Sequence, residues 1–143
     1  MNRSRRDLTL LLAAAAGAQA QAPASPSPLP SKTYRFEDLP VRTSGSNRSR
    51  SVLRGKTHTG FNIQVHQTEL APGQAPHASH HHVHEEMIFI REGTLEVTIA
   101  GASQKLGPGS IAYVASNEEH GWSNVGTTPA HYFVLALGQG EPR

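Results

Sequence analysis

Between Pro76 and Glu86 the chain reads PHASHHHVHEE, which places five histidines within eight residues directly ahead of two glutamates. The sequence contains no cysteine, so any metal it holds must be bound through nitrogen and oxygen donors. Imidazole and carboxylate together suit Mn, Fe, Ni, Cu and Zn, and donor softness does not choose among them. A lone histidine is ordinarily a surface or hydrogen-bonded core residue, and a run of three can be no more than a hydrophilic loop. His80, His82 and Glu86, however, fall at i, i+2 and i+6, and even spacing puts side chains on one face of an extended strand. His84 shares the parity of His82. His81 and Glu85 have the opposite parity and should point away, although Glu85 becomes the competitor if the register slips by one. A fourth candidate donor, His120, lies 34 residues past Glu86. It can reach the others only if the sheet between them curls into a barrel.

The rest of the chain fits that requirement. From Gly60 onward, short runs of β-branched, aromatic and aliphatic residues are broken every eight to twelve positions by glycine and proline, the pattern of an all-β barrel or sandwich. Phe61, Ile63 and Val65 alternate with Asn62, Gln64 and His66, and Leu95, Val97 and Ile99 alternate with Glu96, Thr98 and Ala100. In each run one face should turn in and the other out. Met87 to Ile90 (MIFI) and Tyr132 to Leu137 (YFVLAL) are apolar on both faces, as in central or interface strands. Connections are too short for parallel crossovers, so about eight antiparallel strands are expected between Gly60 and Leu137.

Two motifs in this region resemble those of the cupins, small antiparallel jelly-roll barrels. The first family pattern, G-x5-H-x-H-x3,4-E-x6-G, is matched by His80, His82, Glu86 and Gly93, with Gly73 one residue further away than usual. The second, G-x5-P-x-G-x2-H-x3-N, is matched by Gly109, His120 and Asn124, with Ala115 and Asn117 standing at its proline and glycine positions. The resemblance implies an all-β, single-domain cupin barrel over residues 60–138, with His80, His82, Glu86 and His120 as the ligands of one divalent metal. It also implies a bend between the second histidine and the glutamate that leaves His84 beside the metal rather than on it. Glu86 and His84 are then the candidate catalytic residues, as movers of a proton.

Related barrels include dioxygenases, decarboxylases, isomerases, lyases and binders without turnover, so the fold does not fix the chemistry. The expected function is a metalloenzyme acting on a small oxygen-rich molecule, of dioxygenase, lyase or isomerase type. The alternative is a non-catalytic barrel that binds a metal or small ligand for sensing, storage or delivery. His77 should face the barrel mouth. Trp122, on the face of His120, is either core packing or pocket wall, and Asn124 reads as a structural hydrogen-bonding residue. Tyr113, Phe89, Met87 and Phe133 read as core, whereas His58, His66 and His131 show no partner in the sequence.

Residues 1–20 carry paired arginines, Arg5 and Arg6, then an apolar stretch and A-x-A spacing at Ala18 and Ala20, which read as an export signal resembling the twin-arginine type. The apolar stretch is shorter than the ~20 residues that span a bilayer. A periplasmic or otherwise exported protein is expected, with no membrane association once the signal is cleaved. Residues 21–32 read as a Pro/Ser-rich linker, 33–59 as a loose arm containing a short possible strand at Thr33 to Phe36, and 139–143 as a tail. The arm could supply an edge or contact strand, so a homodimer is expected. The pI near 9.3 owes its excess to the signal. Of thirteen basic and eleven acidic residues, removing three arginines and one aspartate leaves ten of each. The basic residues left in the arm lack interleaved aromatics, which argues against a nucleic-acid partner. Folding before export would let cytoplasmic metal supply favour Mn or Fe over the stronger-binding Zn, Ni and Cu.

Overall fold

The computed structural model describes residues 27–139, so the signal, half of the linker and the last four residues lie outside it. Nine strands build it: β1 (Val41–Ser44), β2 (Asn47–Lys56), β3 (Asn62–Leu70), β4 (Glu85–Glu92), β5 (Leu95–Ile99), β6 (Ala102–Leu106), β7 (Ile111–Val114), β8 (His120–Asn124) and β9 (Ala130–Gly138). Every pairing is antiparallel. A six-stranded sheet runs β1-β2-β3-β9-β4-β7 and a three-stranded sheet runs β6-β5-β8. The antiparallel jelly roll expected from the sequence is therefore present, and MIFI and YFVLAL lie on the adjacent inner strands β4 and β9.

The strands face each other as period-two geometry requires. On β9, Tyr132, Val134 and Ala136 turn inward and are buried, and on β4 Ile88 and Ile90 do the same. Tyr132, Val134, Ile88 and Ile90 meet Leu95, Val97 and Trp122 from the smaller sheet in one core. Burying a side chain such as Ile88 stabilises by roughly 1.5–3 kcal/mol. The alternate residues Met87, Phe89, Phe133 and Leu135 are half-buried on the outer face, where Ile111 and Tyr113 are exposed.

Between Gly60 and Leu137 there are seven strands, against about eight expected, and the arm supplies an edge as the sequence allowed, β1 and β2 pairing at one side of the larger sheet. Thr33 to Phe36 forms no strand; a short 3-10 helix spans Phe36–Asp38 instead. The polar composition of the arm reflects where its side chains go. Ser49 and Ser51 stand opposite Thr68 and His66 of β3 and line a groove rather than a core.

Gly93, which closes the first motif, has φ +81°, and a Cβ there would lie 2.6 Å from the Ala130 Cα. Only glycine meets both demands.

Candidate metal centre

The histidine-rich segment is not a regular strand. β4 begins only at Glu85, and residues 81–84 form an irregular loop held in place by backbone bonds. His80 and His120 exchange two of them, His80 N–H to His120 O at 3.0 Å and His120 N–H to His80 O at 2.9 Å. A Cβ at Gly121 would lie 2.7 Å from Ser79 Oγ, so the absent side chain lets loop and strand approach this closely. Further along, Asn117 N–H donates to His82 O at 2.8 Å and the Ser116 hydroxyl donates to Val83 O at 2.7 Å. The turn before β8 thus pins the loop that carries His82. Asn117 adopts φ +64°, the left-handed conformation for which the family pattern has glycine and which asparagine tolerates better than most residues. The sequence's departure from the motif keeps the backbone shape.

These constraints bring His80, His82, Glu86 and His120 together. Donor atoms of His80, His82 and His120 lie within 4.8 Å of one another, and so do those of His82, His84 and Glu86. Nε2 of His120 is 3.0 Å from Glu86 Oε2, and Nε2 of His82 is 3.7 Å from the same oxygen. His120 and Glu86 are both buried.

The hydrogen bonds around the cluster fix the imidazole tautomers. Nδ1 of His120 lies 2.9 Å from the Glu118 carbonyl, and Nδ1 of His82 lies 2.9 Å from the His84 carbonyl. A carbonyl only accepts, so each Nδ1 carries the proton and donates it. In the neutral rings each Nε2 then bears a lone pair directed at the carboxylate. Two acceptors 3.0 Å apart repel unless a proton or a cation lies between them. Nε2 of His82 and Nδ1 of His80 are also buried without a hydrogen-bond partner among the described residues. Imidazoles oriented by backbone carbonyls, with bare nitrogens converging on a carboxylate, form the donor arrangement of a divalent metal site.

Burial, followed by the neighbouring His77, His120 and His82, lowers the pKa of His80. His84 is buried and stacks on His82 with ring centroids 3.6 Å apart. Burial and then the His82, His120 and His80 rings push its pKa down to about 4, so it is neutral at pH 7. A donor atom of His84 lies within 4.8 Å of those of His82 and Glu86, close enough to be an alternative donor. His81 is exposed and lies 3.2 Å from Glu119 Oε2, and Glu85 is also exposed.

A cavity of about 660 Å³ opens over the cluster, walled by His66, Thr68, His77, Trp122 and Tyr132. Trp122 serves both roles weighed from the sequence, being buried in the core while forming pocket wall. Its Nε1–H donates to the Tyr132 hydroxyl at 2.9 Å. Burial pushes the Tyr132 pKa up to about 12. Asn124 is structural: its amide donates to Leu70 O and Thr128 O, and its Oδ1 accepts from Gly126 N–H. Sequence reasoning missed His66 and Thr68 as pocket residues. Their parity with Gln64 on β3 was the available signal, because the polar face of that strand turns inward and the apolar face outward.

Residues 66–136 match the family model described as a cupin domain. The barrel is a cupin domain. Solved structures of similar shape include an RmlC-like cupin from Shewanella frigidimarina (19% identity, 76% of this chain and 92% of that one, TM-score 0.62). KdgF from a Halomonas species aligns at 14% identity over 76% of this chain and 96% of its own, with TM-score 0.66. The polyketide cyclase RemF from Streptomyces resistomycificus aligns at 17% identity over 79% and 82%, with TM-score 0.62. At such identities the likeness is one of fold. No curated protein matches the sequence.

Proposed function

We propose that this cupin holds one divalent metal through His80, His82, Glu86 and His120 and acts as a metalloenzyme on a small oxygen-rich molecule. The observation that carries the reading is the pair of lone-pair nitrogens, His82 Nε2 and His120 Nε2, aimed at one carboxylate oxygen of Glu86. Three imidazoles and a carboxylate leave positions open on a six-coordinate ion, and when bound it would supply a Lewis acid that polarises a carbonyl or enolate oxygen. The chain's own residues do the rest. Trp122 and Tyr132 wall the pocket with apolar surface, and His77 lies at its mouth, its ring centroid 4.3 Å from that of His80. His84, neutral at pH 7 and lining the pocket, is the proposed base for a proton of the bound molecule. The names of structural neighbours, among them a polyketide cyclase, support an enzyme.

Manganese or iron is the proposed ion, loaded before export of a folded protein to the periplasm through the signal at residues 1–20. The half-exposed apolar outer face around Met87, Phe89, Ile111 and Tyr113 supports pairing of two copies. Elemental analysis of protein recovered from its native compartment tests the metal and the export together. Catalysis is tested by following loss of deuterium from C3, the carbon next to the ketone, of a labelled 2-oxo acid by proton NMR. The metal-loaded protein should speed the exchange and His84→Gln should lose that rate, whereas metal binding without any exchange would favour the binding-only barrel.

A further inference from the structure

The cavity over the metal cluster continues into a second one of about 750 Å³ beneath β1, β2 and β3, and His66, Thr68 and Pro76 line both. Opposed residues on antiparallel strands share a face, so the pairing register maps the floor of this groove. One row crosses the sheet through Arg54, Gln64, Ala136 and Glu86, joining the metal cluster directly to an arginine. A second row on the same face, four residues further along β3, passes through Ser49, Thr68 and Tyr132 and ends on β1 at Arg42.

Arg54 reaches this row because β2 carries a bulge. Ser51 pairs with His66 but Leu53 pairs with Val65, so Val52 is the extra residue. Were Val52 paired in a regular ladder opposite Val65, Leu53 would face inward beside Gln64 and Arg54 would lie outside opposite Ile63. The bulge exchanges the two, re-aiming the guanidinium into the groove. Arg48 at the rim is offset by Glu69 at 3.7 Å, and none of the described lining residues is acidic. Between Arg54 and the cluster, Oε1 of Gln64 is buried with no partner among the described residues.

We propose that this groove is a subsite for a second oxyanion of the ligand, which makes the ligand an elongated dianion: a metal-chelating oxygen head in the first cavity and a carboxylate or phosphate at Arg42 and Arg54. The inference rests on the metal reading above and narrows its substrate class. Three interstrand spacings, about 14 Å, separate the Arg54 and Glu86 backbones. Their side chains take up part of that interval, leaving the length of a short dicarboxylate.

The test uses the full chain loaded with manganese and compares 2-oxosuberate with 2-oxooctanoate by calorimetry, since the two acids have equal length and differ only in the far carboxylate. The diacid should bind about tenfold tighter or more, the scale of a charge-assisted bond, and its advantage should shrink with added salt. In the double variant Arg42→Gln, Arg54→Gln, whose substituted side chains are exposed and whose fold circular dichroism checks, the affinity ratio should fall to about one. A merely structural role would weaken both acids in parallel and would overturn the proposal. Manganese uptake with equal affinity for the two acids, or with neither bound, overturns the groove subsite alone. No manganese uptake overturns the metal reading and the subsite with it. A phosphonate in place of the far carboxylate distinguishes the two oxyanions by which binds tighter.

Discussion

His120 Nε2 and Glu86 Oε2 face each other across 3.0 Å while the other nitrogen of His120 donates to the Glu118 carbonyl. A neutral Nε2 and a carboxylate oxygen meet there as two acceptors, which a divalent cation between them would satisfy together. Glu86→Gln, which keeps the shape and removes the charge, should weaken manganese binding by about tenfold or more in a calorimetric titration. Unchanged affinity would mean that the carboxylate is not a donor to the ion.

His82→Ala should abolish stoichiometric metal binding while leaving the barrel folded, because His82 lies outside the apolar core. In the unsubstituted protein, excess chelator should lower the melting temperature, since an ion at 100 times its Kd adds ~2.7 kcal/mol to the folded state. Metal content by mass spectrometry and thermal melts check both.

The pH dependence of metal-free stability has a definite sign. His84 titrates at about 4 in the folded chain against 6.5 for its model value, so the unfolded chain binds more protons between those values. Its contribution is whole above pH 6.5 and is lost as the pH falls toward 4. Urea midpoints of metal-free protein should drop across that window, and His84→Gln should flatten the drop.

Asn117 carries a left-handed backbone in the turn that pins the His82 loop. Asn117→Gly should be neutral or stabilising, whereas Asn117→Val should cost ~1–2 kcal/mol or more and weaken metal binding with it. Equilibrium denaturation alongside metal titration separates the two effects.

Tyr132→Phe removes the acceptor for the buried Trp122 Nε1–H. Leaving that donor unpaired should cost ~1–3 kcal/mol in urea denaturation.

Much of the fold was legible because strand alternation and the two motifs are local signals. Turn residues such as Gly93 marked the connections, and the spacing of His80, His82, Glu86 and His120 named the residues that the barrel brings together. The path by which they meet was less legible. Even spacing pointed to one strand face, but residues 81–84 form a loop set by bonds to Ser116 and Asn117, residues more than 30 positions away. The burial of His84 follows from that same long-range pinning. The polar arm read as loose because inward-facing positions signal core only when apolar, and a groove wall lined by Ser49 and Ser51 needs no such pattern. The bulge at Val52 depends on the partner strand and leaves no trace in β2's own sequence.

That bulge separates two properties that usually change together. The donors for the cation sit on the loop before β4, on β4 itself and on β8, while the choice between a charged and an apolar groove floor sits at one surplus residue near the opposite edge of the sheet. Straightening the bulge, so that Val52 takes its place in the ladder opposite Val65, would bring Leu53 to the inside and carry Arg54 to the outside. Such a chain would keep its full ligand set for the ion and accept a greasy tail where the present one accepts an acid.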